Sequence, residues 1–292
     1  PIPPYSWPSP SRTNPIAEAR RGSLHQVLGV AFGLAVLVGN TIATGIMRTP
    51  GEVASQLPSA GLFIAIWVVG GLYALLGAMS LAEGGIITRR SGGQYPIVRR
   101  ALGPYPAFVV GWSDWFSIAA STSLGAIVFA EFALPLLPDI PGGVKSVASA
   151  IVLAFGWLQW NGVKSGDVAQ QILSGLKALA FGVLIVAGFV MAVPELAVAE
   201  PVALPVGTGL IAGVVLALQS VIFTYDGWTG PLYFGEETVN VEHTMPRTMI
   251  GGVLVVILIY VGFNLAMLRV VGVDAMAGDE FVAGTAGAIL FG

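Results

Sequence analysis

Val38-Gly39-Asn40-Thr41-Ile42-Ala43-Thr44-Gly45-Ile46-Met47-Arg48-Thr49-Pro50-Gly51 interrupts the first long apolar segment of this 292-residue chain. Glycine costs about 1 kcal/mol in a helix interior and proline about 3. The stretch therefore predicts a helix that breaks between Gly39 and Gly45. A second stretch of this kind, Tyr225-Asp226-Gly227-Trp228-Thr229-Gly230-Pro231, interrupts the sixth apolar segment. In hydrocarbon, freed backbone groups must find partners, so unwound backbone survives only where it lines a cavity or lies within protein. The alternative is that these glycines merely let helices pack closely, as Gly29-xxx-Gly33 and Gly209-xxx-Gly213 are expected to do. Two interrupted segments five helices apart favour an inverted five-helix repeat with a binding site between the breaks.

The composition places both stretches in a membrane. Hydrophobic residues are 55% and charged residues 10% of the chain, against about 25% charge in a soluble domain. Mean hydropathy is +0.83. A spanning helix needs roughly 20 apolar residues, and seven segments emerge near Leu24–Leu57, Leu62–Thr88, Pro104–Leu137, Val144–Trp160, Val168–Val193, Gly207–Phe234 and Met249–Val271. An eighth begins near Phe281. A net charge of −3 gives no basic field for nucleic acid. There is no cysteine, and His25 and His243 lie too far apart in sequence to outline a metal site. Residues 1–22 are rich in Pro, Ser and Arg and read as a disordered cytoplasmic tail without the apolar core of a signal peptide.

Lysine and arginine set the expected orientation. Arg12, Arg20 and Arg21 precede the first segment, Arg89, Arg90, Arg99 and Arg100 follow the second, Lys164 follows the fourth and Arg247 the sixth. With alternating segments all of them fall on one side. The other side carries mainly Glu52, Asp139, Glu195, Glu200, Asp274, Asp279 and Glu280, with Lys145 and Arg269. The expectation is a multi-pass protein of the plasma (inner) membrane with a cytoplasmic N-terminus.

The residues at the two breaks resemble the APC (amino acid–polyamine–organocation) superfamily of permeases. Ala43-Thr44-Gly45-Ile46, followed by Pro50-Gly51, is similar to that family's first-helix signature, Gly-Ser-Gly-Ile-Phe with a later Pro-Gly. Phe223-Thr224-Tyr225-Asp226-Gly227-Trp228, then Glu236-Glu237, Asn240 and Pro246-Arg247, resembles the sixth-helix signature and its loop. Glu83 with Ser91-Gly92-Gly93-Gln94-Tyr95, and Asn161-Gly162-Val163-Lys164, resemble the close of helix 2 and the turn before helix 5. The resemblance covers about residues 22–292. It implies an all-α integral membrane fold, the LeuT-type inverted repeat with discontinuous helices 1 and 6. On that reading residues 23–292 form one permease domain, truncated in helix 8, and the sequence is a fragment.

An amino acid zwitterion needs an anion site and a cation site side by side. A broken helix offers N–H groups where its second half starts and carbonyls where its first half ends. By resemblance, the N–H groups of Thr44, Gly45 and Ile46 hold the carboxylate, aided by the Thr44 hydroxyl. Carbonyls of Thr41, Ile42, Phe223, Thr224 and Asp226 face the ammonium. Ala43 replaces a family glycine, and its methyl narrows the pocket. Phe223 takes the place of an aromatic lid, or gate; on its own it reads as a core or lipid-facing ring. Asp226 either contacts the substrate amine or caps freed N–H groups of the restarting helix.

Lys177 lies about 16 Å along the fifth segment from Gly166, too deep to snorkel. It looks like the helix-5 lysine that stands in some family members where sodium-coupled relatives bind an ion. Desolvation disfavours an ammonium, so by that resemblance this residue is expected to couple transport to protons, or to prop helices 1 and 8 in an exchanger. The alternative is a structural ammonium held by carbonyls. H+ is thus the expected coupling ion, ahead of Na+, and no cofactor is expected. Glu83, Glu236 and Glu237 are expected to pair with the Arg89–Arg100 cluster. Asp114 and Glu131 carry little weight, and Arg48, unusual for its place, needs an acidic partner that the sequence does not name.

The function expected is secondary active transport of amino acids or related amines by alternating access, proton-coupled or by exchange. The expected partners are that small-molecule substrate and the lipid bilayer, with no nucleic acid; a protein partner is not readable. A seven-helix receptor-like protein and a non-transporting accessory membrane protein are the alternatives. No nucleophile–base pair or metal cluster points to an enzyme.

Overall fold

The computed structural model describes residues 28–43, 45–134, 140–160, 163–191 and 203–292. The expected tail, residues 1–22, lies outside them, as do Thr44, Asp139, Glu195 and Glu200.

Nearly all of the described chain is helical. In order come α1 (Val30–Thr41), α2 (Gly45–Gln56), α3 (Ala60–Thr88), α4 (Tyr95–Leu102), α5 (Pro104–Ala133), α6 (Gly143–Trp160), α7 (Val163–Val190), α8 (Thr208–Tyr225), a 3₁₀ turn Gly230–Phe234, α9 (Val241–Val270), α10 (Val273–Met276) and α11 (Val282–Phe291). Each apolar segment expected from sequence contains one of these helices or a pair. Among the described residues five spans are long and apolar enough to cross a bilayer: α3, α5, Ile172–Val190 within α7, α8 with the 3₁₀ turn, and α9. A sixth results if α1 and α2, bent by 47°, form one span. The apolar parts of α6 and α11 are shorter, below the roughly 20 residues of a straight crossing.

The boundaries depart from hydropathy most clearly at two places. Helix α9 starts at Val241, eight residues before the expected Met249, because Glu242, His243 and Arg247 are helical but polar. Helix α4 lies in the stretch expected to be a loop, with Pro96 in its first turn and Gly103 at φ 94° ending it. Pre-set φ suits a proline at a helix start, and positive φ suits a glycine just past the end.

Helix α9 is the centre of the packing, lying against α3, α1 and α7. Its Met245, Met249, Val253, Val256, Tyr260, Phe263, Met267 and Val270 are buried in one stripe at three- and four-residue spacing. Packed on both α9 and α8, α3 buries Trp67, Gly70, Gly71, Ala74, Ala78 and Ala82. Small residues let backbones approach where lipid tails give no hydrophobic drive between helices. Large apolar side chains such as Leu76, Phe108, Trp112 and Leu153 point outward, which suits a hydrocarbon solvent. Each paired-glycine motif has one packing member. A Cβ on Gly33 would strike Thr248 at 2.4 Å, and one on Gly213 would sit 2.9 Å from the Gln56 carbonyl oxygen. Nothing lies within 4 Å of that position on Gly29, and Gly209 meets only its neighbour Pro205.

Candidate functional site

The ends of α1 and α8 meet. Helix α1 closes with the Ile42 N–H on the Val38 carbonyl at 2.9 Å and the Thr41 hydroxyl on the Leu37 carbonyl at 2.8 Å. Helix α8 closes with the Asp226 N–H on the Phe223 carbonyl at 3.2 Å and the Thr224 hydroxyl on the Ser220 carbonyl at 2.8 Å. Gly227, at φ 118°, lies against the Asn40–Thr41 peptide; a Cβ there would stand 2.9 Å from Asn40 C. A Cβ on Gly45 would meet the Thr224 hydroxyl at 3.2 Å. Gly227 is thus required by the meeting of two backbones, and Gly45 sits close against the Thr224 side chain.

Two hydroxyl groups tie the junction. The Thr49 and Thr224 hydroxyls are 2.6 Å apart and buried. Since Thr224 already donates its proton to Ser220, Thr49 is the donor. The Tyr260 hydroxyl, from buried α9, lies 2.6 Å from the Thr41 carbonyl and 3.2 Å from that of Thr224. One phenolic proton is shared between the last carbonyl of α1 and the penultimate carbonyl of α8. Trp67 and Tyr225 pack against the Tyr260 ring, with centroids 5.8 and 4.9 Å away.

The sequence-predicted residues divide between contact and exposure. Thr41, Ile42, Ile46 and Thr224 are buried at the junction, with Gly45 beside Thr224. The N–H groups of Gly45 and Ile46 open α2 and have no partner within their own helix. The Thr41 and Thr224 carbonyls, expected at the ammonium, already accept from Tyr260; each oxygen keeps a second lone pair. Ala43 is exposed, so its methyl projects from the break. Phe223 is 60% exposed. Asp226 is exposed, and its carboxylate accepts from the N–H of the next residue, Gly227, at 2.9 Å. Thr44 lies outside the described residues. Lys177 brings its ammonium to 3.5 Å from the Gly39 carbonyl, two residues before the end of α1.

Charged contacts flank the junction. Arg48 pairs with Glu131 of α5 at 3.1 Å. At the other end Arg90 pairs with Glu236 at 3.2 Å and Arg89 with Glu242. Glu83 is exposed, and Glu237 contributes its backbone carbonyl to the Leu28 N–H at 3.0 Å. The Tyr233 hydroxyl donates to Asp114 of α5. Among the described residues no three His, Cys, Asp or Glu side chains gather to hold a metal ion.

The amino acid permease family matches this chain over residues 23–292. The chain belongs to that family. It is 28% identical over 282 residues to the human b(0,+)-type amino acid transporter 1, which covers 94% of this chain and 56% of that protein. To the mouse large neutral amino acids transporter small subunit 2 it is 30% identical over 302 residues, 97% of this chain and 54% of that protein. The chain spans about half the length of the curated relatives it matches.

For a permease of this family, Tyr260 is the residue that sequence reasoning passed over. It reads as one more aromatic in an apolar helix. The available signal was Asn264 four residues on, a second polar group on the same face; its amide donates to the Tyr260 carbonyl at 2.8 Å. Glu131 and Asp114 were visible but unplaced, and Glu242 was missed because it precedes the apolar run.

Two outcomes test this junction. Gly227→Ala forces a side chain into a backbone contact at positive φ, at about 1–3 kcal/mol of strain, and lowers the melting temperature of the purified full-length protein. Gly251→Ala, with nothing within 4 Å of its Cβ position, holds or raises it, as helix propensity favours alanine by about 1 kcal/mol. Tyr260→Phe leaves two buried carbonyls short of a donor and costs about 1–3 kcal/mol. An unchanged melting curve for Tyr260→Phe would remove the tie from the account.

Proposed function

We propose that this permease carries amino acids or related amines across the membrane by secondary active transport with alternating access. The observation that carries this is the meeting of two helix ends, α1 and α8, beside helix-start N–H groups that have no partner within their own helix. That pairing suits a carboxylate and an ammonium a few ångströms apart. In this reading α1 with α2, and α8 with the 3₁₀ turn, are the two discontinuous helices of an inverted repeat. The N-terminus is cytoplasmic, following the basic clusters, and the membrane is the plasma (inner) membrane.

The carboxylate lies on the N–H groups of Thr44, Gly45 and Ile46. The ammonium takes the free lone pairs of the Thr41, Ile42 and Thr224 carbonyls, and Phe223 closes over it. Asp226 is assigned to capping the turn through Gly227. Lys177, beside the Gly39 carbonyl, links the protonation state of α7 to the end of α1, with H+ rather than Na+ as the coupling ion. The two named relatives are amino acid transporters, and the mouse protein is by name a small subunit. The receptor-like and accessory readings find no support in the family match.

Uptake or exchange of a panel of labelled amino acids and amines by the full-length protein in proteoliposomes, with and without a pH gradient, tests this function. Saturable uptake of at least one of them is expected; failure of all of them ends the reading. Lys177→Ala is expected to abolish the pH-driven component while the protein still folds, and retained pH-driven uptake would remove the coupling role. Asp226→Asn is expected to leave substrate preference unchanged, since a neutral amide oxygen still caps Gly227. A changed preference would return Asp226 to the substrate.

A further inference from the structure

Helix α5 stands apart from the junction. Its principal packing is on α4 and α6. It reaches the interrupted segments through polar side chains at two levels. Near one end Glu131 holds Arg48 at 3.1 Å, one turn past the start of α2. Near the other end Asp114 accepts from Tyr233, at the close of the 3₁₀ turn. The two carboxylates are roughly 17 residues, about 25 Å, apart along α5. The meeting of the breaks lies between these levels, because Arg48 follows the first break and Tyr233 follows the second. Each tie therefore leads from the segment that follows a break to the same neighbouring helix, one above the site and one below it.

We propose that Arg48–Glu131 is the outer latch and Tyr233–Asp114 the inner latch of the pathway to the site. This rests on the transport reading above. Access from outside requires α2 to part from α5, which breaks the ion pair; access from inside requires the 3₁₀ turn to part from α5, which breaks the Tyr233 bond. The chemistry suits reversible contacts. Arg48 and Glu131 side chains are 36% and 45% exposed, so water can take over both charges when they separate. The contacts that join the breaks to one another, Thr49 to Thr224 and Tyr260 to Thr41, are buried and do not involve α5. The latches can open while the junction stays whole.

The sequence holds no cysteine, so Ser121→Cys in the full-length protein, with any cysteine elsewhere in its reading frame replaced by serine, gives a lone thiol. Ser121 is exposed, and helical periodicity puts it on the strip of α5 between the two carboxylates. Its rate of reaction with a membrane-impermeant thiol reagent is measured in intact cells, from outside, and in inside-out vesicles, from inside. Arg48→Gln and Glu131→Gln are each expected to raise the outside rate about fivefold, a population shift on the scale of a half-exposed ion pair, without raising the inside rate. Tyr233→Phe, which removes the donor to Asp114, is expected to do the reverse. The exchanged pair, Arg48→Glu with Glu131→Arg, is expected to bring the outside rate back. Unchanged rates, a rise from both faces together, or no recovery in the exchanged pair overturns the latch. Should one single variant not fold, the other carries the test. Uptake by the parent preparation, with both contacts intact, separates the two failures: no uptake removes the transport reading, whereas uptake with unaltered labelling removes only the latch.

Discussion

A peptide group without a hydrogen-bond partner is not tolerated in hydrocarbon, and two helix ends at one level expose several at once. The rest of the structure follows from how those groups are held. Helix α1 closes on its own side chain at Thr41, and α8 does so at Thr224. The remaining carbonyls of these two residues share one phenol from α9. Breaks held apart would each need such a partner. Brought together, they need one Tyr260 between them.

That economy explains why α9 is the centre of the bundle. A hydroxyl that must reach two carbonyls has to come from a helix that touches both breaks, and α9 packs on α1 and on the 3₁₀ turn after α8. Its ring is fixed by Trp67 and Tyr225, all three residues being nearly or fully buried. Small residues on α3 admit these rings: Gly71 stands where a Cβ would lie 3.1 Å from the Tyr225 hydroxyl. A long apolar helix with one tyrosine thus becomes the part on which the geometry of the site depends.

The helices were legible because hydropathy counts whole spans, and the helix ends near Thr41 and Tyr225 because Gly acts locally. Gly227 and Gly45 could be read as breaks without any knowledge of what they touch. The extra start of α9 was illegible because Glu242 and Arg247 hide a helix from hydropathy. Tyr260 was illegible for a different reason. Its role is set by two residues 219 and 36 positions away, and no local pattern encodes such a distance. Arg48 was recognisable as a charge needing a partner, yet Glu131 was one acid among several until α5 was placed.

The distribution of polar contacts by depth carries a last consequence. The contacts at the junction are between neutral groups, Thr49 with Thr224 and Tyr260 with two carbonyls, and they are buried. The ion pairs Arg48–Glu131 and Arg90–Glu236 lie away from it, with side chains 35–70% exposed. Burying a charge is far more costly than burying a hydroxyl that finds a partner. A buried neutral hydrogen bond costs about 1–3 kcal/mol when one side is removed, whereas an exposed ion pair contributes about 0–1 kcal/mol. Strong ties thus sit where the two breaks must keep their register, and weak ones where helices would have to part. If a substrate site must stay formed while its access changes sides, this is the order in which the contacts should yield.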